Sequence, residues 1–296
     1  MSAFDYYTIK QALLPHLQVA LNLYLRNQEL PHVQPNLHIS WNQKNDQITY
    51  VWAIALHLST VQKNPAIQIA KSIAHLIDTT AFFRIFPQTQ FSLKNPIDLT
   101  LINTQVVPPG LIYLELTDIT IGNWLQYLII NHPTIEKSCL HHNSSGSFPF
   151  TLQYTYARCC SLLHLANQEK LITLKPQLKD TKKSLLTDWD ISPISFFDSQ
   201  QLLCCHPTER ALVKQLFALL DELYCPSNNL KIQWEKIALK LCQAWQDFYT
   251  HCRIWGEVER DNLSLATARV GLTFLTQCFL AVLLNDKLEI YAPTKL

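Results

Sequence analysis

Tyr249 and Arg253 stand four residues apart in the stretch LCQAWQDFYTHCRIWGE, Leu241–Glu257. On a helix this spacing puts an aromatic ring and a guanidinium on one face. A ring beside a cation suits an unpaired base stacked on the ring with its phosphate held by the charge. The plainer alternative is that Tyr249 covers the edge of a core and Arg253 pairs with Glu257, again four residues on. A second stretch, SFPFTLQYTYARCCSLLH at Ser147–His164, offers Gln153, Tyr154 and Arg158. These three either reach a ligand or fix one helix against its neighbours, and the structural role is favoured for Tyr154. Lys170, Lys175, Lys179, Lys182 and Lys183 form a basic run. They either follow a phosphate backbone, adding salt-dependent affinity without sequence information, or belong to a solvated insertion.

Catalytic and metal chemistry have weaker footing. His141–His142 and Cys204-Cys205-His206 are adjacent residues, whereas zinc ligands are usually spaced by two to four and adjacent side chains point apart. No CxxC, GxSxG or HExxH occurs, and none of the five glycines builds a phosphate loop. No metal or cofactor is expected. The nine cysteines, with no signal peptide, read as reduced and mostly buried thiols of a cytoplasmic protein.

The elements that must carry these residues follow from periodicity. Phe148–Asn167 reads as a helix burying Leu152, Tyr156, Cys159 and Leu163. Residues 169–205 read as a long insertion. Pro207 opens a helix with Glu209 in its first turn and a stripe of Leu212, Leu216, Leu219/Leu220 and Leu223. Lys231–Trp255 reads as the helix carrying Tyr249 and Arg253, stopped by Gly256. The last long helix, Asn262–Leu284, buries Leu263, Ala266, Val270, Phe274, Cys278 and Ala281. Its apolar stretch, Val270–Leu284, is too short for a membrane span and is broken by polar residues, so no membrane partner is expected.

The N-terminal part mixes periods. Tyr6–Arg26 reads as a helix with Pro15 inside it, and His38–Trp41 as a short strand. Tyr50–Val61 reads as a helix. Asn64–Pro65 supplies a cap and first-turn proline for another, reaching Ile77. Asp98–Val106 and Leu111–Leu116 read as strands around the turn Pro108-Pro109-Gly110, and Asp118–Ile130 as a closing helix. Residues 131–147 form a polar linker. The expected organisation is an α+β domain over 1–130, the linker, and an all-α helical bundle over 148–296. A net charge of +1 gives no global support for a nucleic-acid binder, so any basic surface must be local.

Two segments carry a family resemblance. Gln153, Tyr154, Ala157, Arg158, Ser161 and Leu163 fit the pattern QYxHARxxSIL, and Phe248, Tyr249, Cys252, Arg253, Gly256 and Glu257 fit FYxxCRVLGE. Both patterns resemble the DALR anticodon-binding domain of arginyl-tRNA synthetases. Tyr50, Ala55, Pro109, Gly110 and Ile112 resemble, more sparsely, the additional N-terminal domain of the same enzymes. The resemblance implies anticodon-side contacts by Tyr249, Arg253, Gln153, Arg158 and Leu296; with a tRNA as ligand, Lys175, Lys179, Lys182 and Lys183 of the basic run are the candidates for backbone contacts. The resemblance also implies D-loop contacts by Tyr50, Gly110 and Tyr113.

Departures are visible. Ala53 and Tyr113 stand where the family has asparagines, Leu111 where it has phenylalanine, Tyr156 where it has histidine, and Leu296 where it has a terminal methionine. No HIGH-like or KMSK-like motif appears where the catalytic domain would be inserted. The expectation is a free-standing, non-catalytic paralogue, similar to the DALR-domain proteins of cyanobacteria, that binds tRNA with arginine tRNA preferred. A protein-interaction or regulatory module, or an accessory partner of an arginyl-tRNA synthetase, is the alternative.

Overall fold

The computed structural model describes residues 8–30, 37–42, 47–80, 102–133, 150–176, 189–199, 201–226 and 232–295. The chain forms two compact units. The first comprises Met1–Ile121 with Leu223–Pro226, and the second Gly122–Glu222 with Ser227–Leu296.

The first unit opens with α1, Ile9–Asn27. Its start is set by a capping box. The Thr8 hydroxyl accepts from Gln11 N at 3.1 Å and the Gln11 side chain accepts from Thr8 N at 2.8 Å. The helix therefore begins later than the apolar periodicity suggests, and Pro15 sits in its interior. After β1, Ile39–Trp41, comes β2, Thr49–Trp52. This corrects the expected helix over Tyr50–Val61. The residues Thr-Tyr-Val-Trp are all strand formers, and α2 spans only Ile54–Gln62. Helix α3 runs Ala66–Thr80, its first free amides bonded to the Pro65 carbonyl. Strands β3, Ile102–Val107, and β4, Leu111–Leu116, form a hairpin. The sheet order is β1-β2-β4-β3, antiparallel throughout, with Tyr50 opposite Leu114 and Trp52 opposite Ile112.

That register sorts the faces. Tyr50, Trp52, Ile112, Leu114 and Leu116 turn inward and are buried with residues of α1, α2 and α3. Val51, Tyr113 and Gln105 share one row of the opposite face, and Thr49, Glu115 and Asn103 the next. The hairpin turn is pressed against the start of α3. A Cβ added at Gly110, where φ is +147°, would lie 2.8 Å from the carbonyl carbon of Ala66. Only glycine serves there, both for the conformation and for the approach.

The chain enters the second unit within α4, Asp118–Ile130. It continues through α5, Phe150–Gln168; α6, Pro207–Tyr224; α7, Trp234–His251; α8, Glu257–Asp261; and α9, Leu263–Val282, which runs on as a π-helical turn, Leu283–Lys287. Every residue from Ala266 to Asn285 is buried, so α9 is the axis on which α5, α7 and α8 pack. By length and composition, Leu263–Lys287 is apolar enough to cross a membrane, but its most apolar window is wholly buried within this unit. A helix that is apolar all round is what a central position requires.

Three expectations need correction here. Leu263 is 57 % exposed, because it sits in the first turn beside the Asn262 cap, outside the seam that begins at Ala266. Helix α7 stops at His251, since Cys252 turns extended at φ −115° and ψ 97°. Gly256 instead precedes α8 with φ +84°. The segment after α5, expected as a long insertion in an all-α bundle, contains strands. Strand β5, Thr173–Pro176, pairs with β6, Trp189–Ser192, and β7, Phe197–Asp198, with β8, Gln201–Leu202. Between the two ribbons Phe196 is fully buried, and Ile194 and Phe197 lie where side chains on Gly271 and Gly122 would otherwise project. The second unit is thus mostly helical rather than all-α. Most of the expected linker, 131–147, lies outside the described residues.

Candidate nucleic-acid interface

Helix α5 divides its residues sharply. Leu152, Thr155, Tyr156, Cys159 and Leu163 are buried, and Tyr156 accepts a hydrogen bond from Gln277 of α9 at 3.2 Å. The opposite row is Phe150, Tyr154 and Arg158, each four residues from the last. Phe150 is 65 % exposed and Tyr154 47 %, with ring centroids 6.0 Å apart. The structural role favoured for Tyr154 is therefore corrected: it faces outward, on the same side as Arg158.

Arg158 meets Tyr249 of α7. Its Nη2 donates to the Tyr249 hydroxyl at 3.0 Å, and its guanidinium carbon lies 5.6 Å from the ring centroid. Beneath, Trp245 stacks on Tyr249 at 5.3 Å with an interplanar angle of 3°. The buried indole fixes the tyrosine ring, and the ring and the cation fix each other. Gln153, on the same helix, donates to the backbone carbonyl of Tyr291 at 2.9 Å. This bond holds the C-terminal segment against α5 and leaves the Tyr291 side chain outward, at 42 % exposure. The arrangement presents rings and a guanidinium on one side of α5, a surface able to stack bases and attract phosphate.

Several expected site residues stand elsewhere. Arg253 lies beyond the end of α7, so the expected pairing with Tyr249 on one helix face does not form, because the helix ends first. Nor does Arg253 pair with Glu257; its side chain is exposed and its carbonyl accepts from Arg269. Lys175 is exposed on β5, directly across the ribbon from Asp190. Lys179, Lys182, Lys183 and Leu296 lie outside the described residues. Tyr50 is fully buried against Trp41, with ring centroids 4.0 Å apart, and Gly110 is buried against α3. Neither can meet a ligand, because the sheet register turns Tyr50 inward and the turn packs onto Ala66. Tyr113 is half-buried on the opposite sheet face.

Phe150 and Tyr291 escaped the sequence reading. The Phe150-Tyr154-Arg158 spacing was a usable signal, while nothing local marks Tyr291.

Two thiols of the second unit lie in surroundings that favour the protonated form. Burial pushes Cys204 well up, with Glu209 adding to it, and burial raises Cys252 as well. A raised thiol stays protonated at neutral pH. Among the described residues no group of three His, Cys, Asp or Glu gathers to hold a metal.

This outward face belongs to a region with known relatives. Residues 152–296 match the DALR anticodon binding domain. Over 143 residues the chain is 32 % identical to the arginine–tRNA ligase of Synechococcus sp. (strain JA-3-3Ab), covering 48 % of this chain and 21 % of that protein. The chain thus spans well under half the length of the relative it matches. No solved structure matches.

Proposed function

We propose that this protein is a non-catalytic tRNA-binding protein of the cytoplasm. In this reading it uses the outward row of α5 with Tyr249 to bind unpaired bases of an anticodon loop, and arginine tRNA is its preferred ligand. The observation that carries the reading is the Arg158–Tyr249–Trp245 stack beside the exposed rings of Phe150 and Tyr154. RNA loops are recognised by splayed bases on aromatic or guanidinium planes, and this surface supplies both. The match to an anticodon binding domain and the similarity to an arginine–tRNA ligase support the same direction.

The alternative is a protein-interaction or regulatory module that kept the fold without the RNA, or an accessory partner of an arginyl-tRNA synthetase. It draws on the burial of Tyr50 and Gly110 and on the net charge of +1. A titration of the purified chain with arginine tRNA and with an unrelated tRNA, at two salt concentrations, separates the two. Selective binding that weakens steeply with salt is expected. Weak, equal binding to both tRNAs removes the tRNA reading in favour of the alternative. Charging of arginine tRNA by the chain alone would overturn the non-catalytic part.

A further inference from the structure

Among the described residues of the second unit, a buried ion pair has arms that reach further than the pair itself. Arg269 of α9 donates from Nε to Glu209 Oε1 at 2.6 Å and from Nη1 to the Arg253 carbonyl at 2.5 Å. Glu209, fully buried in the first turn of α6, accepts with its other oxygen from His206 N at 2.8 Å. Beside it the Thr208 hydroxyl meets Cys252 Sγ at 3.3 Å. One guanidinium therefore ties together the start of α6, the body of α9 and the strand-like exit from α7. A buried ion pair is weak evidence for stability as such, since desolvation offsets most of the attraction. What this one does fix is the backbone that carries an exposed arginine, two residues beyond the helix holding Tyr249.

We propose that the Glu209–Arg269 pair is a positioning clamp for Arg253, holding its guanidinium where it contacts a phosphate of the bound RNA. This rests on the tRNA-binding reading. Arg269 itself touches no RNA; it acts through the carbonyl of Arg253. Lysine could keep the ion pair with Glu209, but it lacks the planar fork that serves carboxylate and carbonyl together.

The test is a double-mutant cycle on the full chain with arginine tRNA, following affinity against salt. Arg253→Ala is expected to lower the slope of log K against log salt by about 0.7, one single-strand phosphate contact. Arg269→Lys is expected to lower it by a similar amount. The double variant is expected to match Arg253→Ala alone, because the clamp has nothing left to position. A merely structural role would leave the slope unchanged, or would add its loss of affinity to that of Arg253→Ala, and either result overturns the proposal. If Arg269→Lys does not fold at the assay temperature, Glu209→Gln takes its place in the cycle under the same criteria. Wild-type protein without salt-sensitive binding would instead overturn the tRNA reading, and the clamp with it.

Discussion

The reading of the interface turns on one ring. Tyr249 is half-buried: its underside rests on Trp245 and its hydroxyl receives the Arg158 guanidinium. Two substitutions separate these relations. Tyr249→Phe keeps the stacking surface and removes only the hydroxyl. At an exposed position Arg158 recovers a water in exchange, so the loss is expected to stay at about 0.5–1 kcal/mol, the low end for one hydrogen bond. Tyr249→Ala removes the surface on which a base would lie. Base–aromatic stacking is worth about 1–3 kcal/mol by alanine substitution. At about 1.4 kcal/mol per decade, that corresponds to roughly 5- to 150-fold weaker binding. The assay is fluorescence anisotropy of labelled arginine tRNA at fixed low salt, with thermal melts to show that each variant is folded. The predicted order is wild type, then Phe slightly weaker, then Ala much weaker. Equal affinities for the phenylalanine and alanine variants would refute the stacking argument, since the ring would then contribute nothing that its hydroxyl does not.

Two further predictions concern the scaffold. Gly110→Ala places a methyl 2.8 Å from backbone and side-chain carbons of Ala66 at a φ of +147°, so the hairpin or α3 must shift. A loss of about 2–4 kcal/mol is expected by urea unfolding, from strain and overpacking together, and a loss under about 0.5 kcal/mol would refute the close approach. Burial pushes Cys160 up to about 12 and Cys242 up to about 11, against an ordinary thiol value of 9.0. The unfolded chain then releases protons that the native state keeps. Stability is full below about pH 9 and falls through the window up to the folded values, by at most about 1.4 kcal/mol per pH unit for each thiol. Urea unfolding between pH 8 and 10 is expected to show a shallower decline for Cys242→Ala than for wild type, and parallel slopes would count against the buried, protonated thiol.

The helices of the second unit were legible because each declares its burial locally. The stripe Leu152, Tyr156, Cys159, Leu163 shows which side of α5 faces inward, and the opposite row follows by default. Strand β2 was misread for the converse reason. Thr49–Trp52 is too short for its period to speak, and its fate depends on pairing with Glu115–Ile112, distant in sequence. That same distant pairing turns Tyr50 inward, so a contact inferred by resemblance was lost to a register that no local pattern reveals. The exit from α7 is a third case. Gly256 carries the familiar sign of a helix stop, yet the chain leaves the helix at Cys252, where Arg253 offers its carbonyl to Arg269. The deciding partner lies on another helix, and the sequence around Gly256 does not mention it.

The outward face of α5 and α7 follows from the core beneath it. Because α9 is buried on every side from Ala266 onward, the helices around it each surrender one stripe inward and keep the other outward. On α5 the inward stripe includes Tyr156, bonded to Gln277, and the outward row begins with the exposed Phe150. On α7 the inward Trp245 is also the floor under Tyr249, so one residue serves packing on one face and supports the ring on the other. The C-terminal segment joins by a different route. Ile290 and Ala292 are buried while Tyr291 between them points out, and Gln153 grips the carbonyl of Tyr291 rather than its ring. The backbone anchor sets where the outward Tyr291 ring projects. The half-buried Tyr249 ring is placed by indole stacking and the outward Tyr291 ring by a bond to its backbone, so neighbours on α7 and α5 set the position of both.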